Sequence, residues 1–308
     1  MKIIFMGTPE FSVNILESLI NEKSFDVSLV VTKKDSIGKK GKIIESPVAL
    51  LAHKYGISVL KLESFKDEQE KIKNLKPDLI VTAAYGKILP EYILNIPKYG
   101  CINVHASLLP KYRGSNPIAY ALKNGDKKTG VTIMYMDKGM DTGDIIEEKE
   151  IEIDDTDNLT ILTNKLSNLG SNMIAGVIKK IETGENKRIK QDDGKATYTK
   201  MTEREDEHLN FNDTSHNVFN KVRSLSDNPA CYVNYNCEPL KIYDGYILDK
   251  KSSKTPGTIE EVLKNGIGVS TKDNIYVITS LKPFGKKKMD ARSYINGLRE
   301  NIVGGHYE

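Results

Sequence analysis

The sequence predicts an α/β protein with a doubly wound, mostly parallel sheet followed by a smaller β-barrel domain. Short apolar runs typical of buried strands alternate with segments whose apolar residues recur at helical spacing, and this alternation predicts the parallel sheet. Beyond residue 184 a polar, charged segment leads into several brief strand-like runs separated by turn residues, which predict the barrel. We therefore expect a sheet domain over residues 1–184, a linker over 185–206 and a barrel domain over 207–308.

The first predicted strand is the apolar run at residues 2–6, and Thr8 with Pro9 then offers an N-cap and a first helical residue. Ser46 with Pro47 repeats this signature in front of a second helix. Strand and helix patterns continue to alternate along the chain, which favours parallel pairing of the strands. Further strands are predicted at 27–32, 58–60, 78–84, 103–106, 131–136 and 145–153, and further helices at 67–75, from 116 onward and at 158–182.

A short helix over residues 218–225 opens the second predicted domain. After it come short runs rich in β-branched and aromatic residues with turn residues between them, a pattern typical of a small barrel. The predicted strands cover residues 230–235, 240–248, 257–263, 266–271 and 274–281.

Composition excludes several classes of protein. The chain has 308 residues with 45 Lys and Arg against 42 Asp and Glu, so its net charge of +3 gives no global attraction to nucleic acid. Its three cysteines form no CxxC pair and accompany five scattered histidines, so we expect neither a disulfide framework nor a bound metal. The N-terminal apolar run is too short for a signal sequence, and no run approaches the about 20 residues of a membrane span. We expect a cytoplasmic protein.

Two polar residues interrupt the apolar run GCINVHASLLP at residues 100–110. Asn103 and His105 are two positions apart, so in a strand they project from the same face near its carboxyl end, where open α/β sheets bind ligands. The loop MDKGMDTGD at 136–144 then places Asp137, Asp141 and Asp144 among glycines after another strand. Considered one at a time, Asn103 and His105 could be ordinary buried polar residues, and each aspartate could belong to an ordinary acidic turn. Taken together, they predict a functional site.

These segments resemble a known family. INVHASLLPKYRGSNPI and TGVTIMYMDKGMDTGD are similar to the N10-formyltetrahydrofolate-dependent formyltransferases, which share Asn-x-His, then Ser-Leu-Leu-Pro, then an Asp before a Gly. The resemblance implies a Rossmann-like sheet, 10-formyltetrahydrofolate as formyl donor and no metal. It implies Asn103, His105 and Asp141 as catalytic residues. It implies a folate pocket that includes Ser107, Leu108, Leu109, Pro110 and Ile88.

Other segments are most similar to the branch of this family that formylates the amino group of initiator methionyl-tRNA for translation initiation. They are MGTPEFS at the start, KKGKIIESPV at 39–48, AAYGKILP at 83–90 and KPFGKKKMDARSYING at 282–297. In that branch the C-terminal barrel is OB-like and binds tRNA, and we expect a monomer. The resemblance implies that two groups of lysines contact tRNA. The alternative is that these lysines are solvated surface residues that bind nothing. The groups are Lys39, Lys40 and Lys42 in a basic loop, and Lys286, Lys287 and Lys288 in the barrel.

Formyl transfer requires the residue types in this motif. An amine attacks the formyl carbon, and the carbonyl oxygen gains negative charge that hydrogen-bond donors must stabilise. Asn103 offers an amide N–H, and a protonated His105 offers a charged one. Asp141 beside His105 would favour the imidazolium, and a carboxylate near the amine would help to remove its proton, directly or through water.

Three rival functions remain open from the sequence. A sugar-nucleotide formyltransferase has the same catalytic residues and a similar second domain, but typically lacks the basic loop. A glycinamide ribonucleotide formyltransferase resembles only about the first 200 residues. A non-catalytic RNA-binding protein on the same scaffold would not need Asn103, His105 and Asp141 intact. The basic loop contains lysines and no arginine, so bidentate phosphate contacts are not available there.

Overall fold

The computed structural model describes residues 1–38, 41–298 and 301–308. The chain divides into two compact units, and each unit contains a sheet of its own. The first unit consists of Met1–Pro117, Thr129–Glu152 and Thr163–Lys200, and the second consists of Ile118–Lys128, Ile153–Leu162 and Met201–Glu308.

Strands and helices alternate through the N-terminal two thirds of the chain, as the sequence predicts. The strands are β1 (Lys2–Gly7), β2 (Asp26–Lys33), β3 (Ser36–Ile37), β4 (Ile43–Ile44), β5 (Val59–Leu62), β6 (Leu79–Ala83), β7 (Cys101–His105), β8 (Arg113–Gly114), β9 (Lys128–Tyr135), β10 (Ile145–Glu152) and β11 (Tyr198–Thr199). The helices are α1 (Phe11–Asn21), α2 (Pro47–Lys54), α3 (Gln69–Asn74), α4 (Glu91–Leu94), α5 (Pro117–Lys123) and α6 (Leu159–Thr183).

The main sheet of the first unit has, among the described residues, seven strands in the order β10-β9-β7-β6-β1-β2-β5. Parallel pairing joins β5, β2, β1, β6 and β7, and β9 runs antiparallel to β7. The predicted mostly parallel sheet is therefore confirmed. Because β7 lies inside this order, its carboxyl end is flanked by the carboxyl end of β6 on one side and by β9 on the other.

Both faces of the sheet are covered, which explains why its strands read as continuous apolar runs. In β1, Ile4 and Met6 belong to a core cluster shared with β2, β6 and α3, while Ile3 and Phe5 point the other way and are also 0% exposed. Helix α1 is tied to the sheet by Ser12, whose hydroxyl donates to the Ala83 carbonyl at the end of β6.

One of the two predicted helix caps is confirmed and the other is wrong. The Ser46 hydroxyl accepts from the Ala49 amide at 3.1 Å and caps α2. Helix α1 begins after Glu10 without a side-chain cap. The Thr8 hydroxyl instead accepts from the Lys33 amide at 3.3 Å, because the turn after β1 lies beside the end of β2.

Residues 186–199, here called the strap, fall in the polar segment that the sequence suggests is a linker. Ile189 exchanges backbone hydrogen bonds of 2.8 and 2.9 Å with Ile145 at the start of β10. Farther along, β11 pairs in parallel with β8, and the Thr197 carbonyl accepts from the Arg113 amide at 2.8 Å. Polar groups of the strap thus form hydrogen bonds with the rest of the first unit, and composition alone does not reveal these contacts.

The second unit contains an antiparallel sheet. Within the described residues it has six strands, with the path β12-β13-β16-β15-β14 and β17 paired to β16. Closure of this sheet as an OB-like barrel stays a prediction. The elements are β12 (Cys231–Tyr235), β13 (Glu238–Lys251), β14 (Ile259–Leu263), β15 (Gly266–Ser270), β16 (Asn274–Lys282) and β17 (Met289–Asp290), with α7 (Ser215–Leu225) and α8 (Ala291–Asn296).

Helix α7 packs its apolar side into the core of the second unit. Val218, Val222 and Leu225 are buried there together with residues of the sheet. Thr214 caps the helix by accepting from the Asn217 amide. None of the helices in the described ranges is long and apolar enough to cross a membrane.

Candidate active site

The carboxyl end of β7 presents Asn103 and His105 on one face, as their spacing predicts. Asn103 pairs in register with Thr82 of β6, and His105 pairs with Thr132 of β9. His105 is 5% exposed, whereas Asn103 is partly exposed. Asn103 is thus paired with strands on both sides, β6 and β9, and His105 is paired with β9.

A neighbouring strand orients the Asn103 amide. The Thr82 hydroxyl lies 2.7 Å from Asn103 Oδ1 and donates to it. This contact leaves the Asn103 amide N–H groups directed away from β6, and one of them faces Asp141 Oδ1 at 3.5 Å. Since normal N–H···O hydrogen bonds are about 2.7 to 3.2 Å long, this last contact is weak and leaves the donor available.

Acceptors surround the His105 ring. Its Nε2 lies 2.9 Å from the Tyr112 carbonyl oxygen, which can only accept, so Nε2 carries a proton. Its Nδ1 faces Asp141 Oδ2 at 3.6 Å. The ring therefore has an oxygen acceptor within hydrogen-bond distance of Nε2 and a carboxylate oxygen facing Nδ1 at a longer distance.

Asp141 reaches this pair from the loop between β9 and β10. Its Oδ2 accepts from the Gly114 amide at 2.8 Å, which anchors one carboxylate oxygen beside His105. Its backbone has φ of +54°, a left-handed conformation that non-glycine residues adopt only when their surroundings enforce it. Two residues later, a Cβ on Gly143 would lie 1.9 Å from the Tyr135 carbonyl oxygen, so only glycine fits.

The other two acids of this loop have different partners. Asp137 Oδ1 accepts from the Gly139 amide and from the Thr142 hydroxyl, which shapes the loop itself. Asp144 accepts from Arg188 Nε at 3.1 Å. Among the three aspartates that the sequence offers, Asp141 is the one beside both Asn103 and His105.

The turn after β7 is fixed by internal hydrogen bonds. The Ser107 hydroxyl donates to the Lys111 carbonyl at 2.7 Å, and the Leu109 amide donates to the Thr132 hydroxyl at 3.1 Å. Ser107 and Leu109 are buried, whereas Leu108 and Pro110 are partly exposed. Ile88, in the segment that follows β6, has 69% of its surface exposed.

Two family models match this chain. A model of the formyl transferase family matches residues 1–178, and a model of the formyl transferase C-terminal domain matches residues 201–299. The chain belongs to the formyltransferase family. It is 44% identical over 306 residues to a methionyl-tRNA formyltransferase of Macrococcus caseolyticus, with 98% of this chain and 97% of that protein covered.

Solved structures share the formyltransferase fold at low sequence identity. An N-formyltransferase from Helicobacter canadensis is 21% identical with a TM-score of 0.68, and the match covers 94% of this chain and 100% of that one. HypX from Aquifex aeolicus is 17% identical with a TM-score of 0.67, over 96% of this chain and 48% of HypX. This chain thus spans about half the length of HypX. These likenesses show the fold alone.

The basic loop of this formyltransferase contains a small hairpin. Strands β3 and β4 pair antiparallel, and the Gly38 amide donates to the Lys42 carbonyl at 2.8 Å. Lys42 is exposed, and the hairpin also exposes Ile37 and Ile43. Lys39 and Lys40 lie outside the described residues.

The second lysine group lies between β16 and β17 of the second unit. Lys286, Lys287 and Lys288 are all exposed. Lys288 Nζ pairs with Asp227 Oδ1 at 2.9 Å and lies over the Tyr243 ring. This hydrogen bond from Lys288 is the main reason that the pKa of Asp227 is lowered. The positive charge of Lys288 is therefore shared with a carboxylate of the protein.

Two further observations concern metal ions and thiols. Among the described residues there is no group of three or more His, Cys, Asp and Glu side chains placed to hold a metal ion. Cys101 lies on β7 close to the site, but burial raises the pKa of its thiol to about 12. A thiol with that pKa is a poor nucleophile at neutral pH.

The sequence motifs missed four contributors to the site. Thr82 and the Tyr112 carbonyl hold Asn103 and His105, and the Gly114 amide holds Asp141. Gln191 of the strap contacts the backbone of Asp141. A polar Thr inside the apolar strand over residues 78–84 was a possible signal for Thr82. No local pattern marks Gln191, because its partners lie far away in the sequence.

Proposed function

We propose that this protein transfers a formyl group from 10-formyltetrahydrofolate to the amino group of methionine on initiator methionyl-tRNA. One observation carries the proposal, namely that the 44% identity to a methionyl-tRNA formyltransferase extends over nearly the full length of both chains. The identity extends through the second unit, which a resemblance to glycinamide ribonucleotide formyltransferases would not cover. The cluster of Asn103, His105 and Asp141 supports the reaction type.

Asn103 and His105 stabilise negative charge on the formyl oxygen during attack by the amine. The Asn103 amide is oriented by Thr82 and makes only a 3.5 Å contact to Asp141, so it can donate to that oxygen without losing a strong bond. A donor of this kind is worth about 2.7 to 4 kcal/mol of transition-state stabilisation. A protonated His105 would contribute positive charge from a buried position, where charges interact more strongly than in water.

The two oxygens of Asp141 have different tasks in this proposal. Oδ2 is held by the Gly114 amide and faces His105 Nδ1, so it orients the ring. Oδ1 makes the long contact to Asn103 and remains able to accept a proton. We assign Oδ1 to removal of the proton from the attacking amine, directly or through a water molecule. The folate nitrogen that departs gains a proton in exchange.

The turn after β7 and the segment after β6 form the proposed folate pocket. The donor supplies the formyl group, and its ring system needs apolar surface next to polar backbone groups. Leu108, Pro110 and Ile88 expose apolar atoms that fit this need. Ser107 and Leu109 are buried and hold the turn in shape, through the Ser107 hydroxyl and through the Leu109 backbone amide.

The two lysine groups are the proposed tRNA contacts. Lys42 lies between the two strands of the small hairpin, and Lys39 and Lys40 precede it in the same glycine-containing stretch of sequence. A basic, glycine-containing stretch suits the phosphates of a bent single-stranded end. In the second unit, Lys286, Lys287 and Lys288 form a local basic cluster, although Lys288 is also paired with Asp227. Local clusters are needed because the net charge of the whole chain is only +3.

We also propose that the protein works as a monomer in the cytoplasm. Cys237 is an exposed free thiol, and Cys101 and Cys231 are buried free thiols. Exposed free cysteines are typical of reducing compartments. Translation initiation also takes place there.

A parallel assay of three amine substrates tests the function. The protein is incubated with 10-formyltetrahydrofolate and with initiator methionyl-tRNA, a sugar nucleotide that carries an amine, or glycinamide ribonucleotide. We expect formyl transfer to methionyl-tRNA at a kcat/KM far above that for either small substrate. Preference for a small amine would replace the proposal with the corresponding formyltransferase, and tRNA binding without transfer would indicate an RNA-binding protein.

Neutralising the basic loop is expected to weaken tRNA use. In the triple variant Lys39→Gln, Lys40→Gln and Lys42→Gln, we expect a higher KM for methionyl-tRNA and an unchanged KM for the folate. The log–log salt dependence of kcat/KM is expected to flatten, because each lost phosphate contact removes about 0.7 to 0.9 from the slope. Steady-state kinetics at several salt concentrations measure both effects.

A second triple variant controls for the change in net charge. Lys66, Lys71 and Lys76 are exposed lysines elsewhere in the first unit, and their replacement by Gln removes the same charge. We expect this control to leave the KM for methionyl-tRNA near that of the wild type. If the loop variant behaves like the control, the loop is a solvated surface and does not bind tRNA.

A further inference from the structure

We propose that Gln191 is a positioning residue for catalysis, which holds the Asp141 backbone so that the carboxylate stays beside His105 and Asn103. This inference rests on the proposed function for its kinetic consequence, and on the contacts of the strap for its geometry. Gln191 lies in the polar segment that the sequence suggests is a linker. Its side chain forms hydrogen bonds with the Asp141 and Gly143 carbonyls and with Arg113, so its effect on the reaction is expected to pass through Asp141.

The Gln191 side chain uses both ends of its amide. Its Nε2 donates to the Asp141 carbonyl and to the Gly143 carbonyl, both at 2.8 Å. Its Oε1 accepts from Arg113 Nε at 3.0 Å and from Arg113 Nη2 at 2.8 Å. The two donors and the two accepting positions of the amide are thus all engaged, so its orientation is fixed.

Asp141 needs such support because of its backbone conformation. A non-glycine residue at φ of +54° relaxes to another conformation unless its surroundings prevent it. The two hydrogen bonds from Gln191 fix the carbonyls at Asp141 and at Gly143, on both sides of Thr142. Without these donors the two carbonyls would turn toward water, and the Asp141 carboxylate would move with them.

Arg113 connects the strap to the other partner of His105. It is 1% exposed, and besides Gln191 it donates to Asp193 Oδ1 and to the Tyr198 hydroxyl. The residue before it, Tyr112, supplies the carbonyl that accepts from His105 Nε2. Strap residue Thr197 also accepts from the Tyr112 and Arg113 amides at 2.8 Å. The strap therefore holds the partners of both ring nitrogens of His105.

The variant Gln191→Glu isolates the two donors. It has the same shape and can still accept from Arg113, so the strap stays docked, but its second carboxylate oxygen faces two carbonyl oxygens. We expect kcat for formyl transfer to fall about 10- to 100-fold, since a small misplacement of a catalytic group costs rates of this size. The KM values for methionyl-tRNA and for the folate are expected to stay near those of the wild type.

A spectroscopic measurement tests the positioning without the reaction. The ¹⁵N chemical shifts of the His105 ring, recorded at one fixed pH, report the protons and partners of both nitrogens. We expect Gln191→Glu to move these shifts in the same direction as Asp141→Asn does. If the wild-type protein does not formylate methionyl-tRNA, the proposed function fails, but this measurement still decides whether Gln191 positions Asp141.

Asp192→Asn is the matched control. It replaces a carboxylate by an amide at the neighbouring residue, which is the reverse of the change in Gln191→Glu. Asp192 contacts Gly194 and Lys195 within the strap, and its replacement is expected to leave kcat and the His105 spectrum unchanged. Should Gln191→Glu fail to fold, Gln191→Ala, in which water can reach the carbonyls, replaces it. Wild-type kcat with a wild-type His105 spectrum in a folded Gln191 variant would overturn the inference, and so would a loss of thermal stability alone.

Discussion

Alanine at Asn103, at His105 or at Asp141 is expected to lower kcat about 100-fold or more in each case, with folding intact. Asn103→Ala removes the donor that Thr82 orients, and His105→Ala removes the buried imidazole ring. Asp141→Ala removes both the partner of His105 and the proposed proton acceptor. Single-turnover formylation of methionyl-tRNA with saturating folate measures the chemical step directly.

Thermal unfolding of each variant shows whether its loss of activity is local. Asn74→Ala is a suitable control, because Asn74 ends helix α3 and is exposed. We expect this control to keep wild-type kcat. A residue whose alanine variant keeps near-wild-type turnover is not part of the catalytic set.

Arg113→Ala is expected to destabilise the first unit by about 3 kcal/mol or more. The side chain is 1% exposed, so its removal leaves a cavity and strands the Gln191 oxygen. Each hydrogen bond to a charged group contributes about 1.5 to 3 kcal/mol. For a unit of this size the unfolding temperature would fall by about 6 to 12 °C. Calorimetry of the variant measures this change.

A variant of Asp193 distinguishes the stability contributed by the ion pair of Arg113 from that contributed by its buried hydrogen bonds. Burial lowers the pKa of Arg113, but its hydrogen bonds to Asp193 and Tyr198 raise that pKa by more. The pKa is therefore raised overall, and the guanidinium stays charged. The Asp193 side chain is 83% exposed, and an ion pair with an exposed partner contributes less than about 1 kcal/mol. We expect Asp193→Asn to cost much less than Arg113→Ala. Equal losses would assign the stability to the ion pair.

The regular part of the fold follows from local patterns in the sequence. A buried strand such as β1 is a continuous apolar run because both faces of a parallel sheet are covered. The cap at Ser46 was readable because its partner lies three residues away. Thr8 has the same signature but bonds to Lys33, and a sequence pattern cannot distinguish a helix cap from a contact with a neighbouring strand.

The candidate site was only partly readable from the sequence. The spacing of Asn103 and His105 predicts a shared face, because alternation along a strand is a local property. The choice of Asp141 over Asp137 and Asp144 came from family resemblance at the level of sequence. In the structure it follows from contacts, since Asp137 bonds within its own loop and Asp144 bonds to Arg188.

The sequence by itself determined the alternation of strands and helices, the shared face of Asn103 and His105, and the family. Only the tertiary structure decided how the site is held. Gln191 is 50 residues from Asp141 and 78 from Arg113 along the chain. Its segment lacks the apolar periodicity that marks a packed element, and hydrogen bonds between distant polar groups leave no periodic trace in a sequence. The contacts that fix Asp141 therefore became visible only when the folded chain brought these residues together.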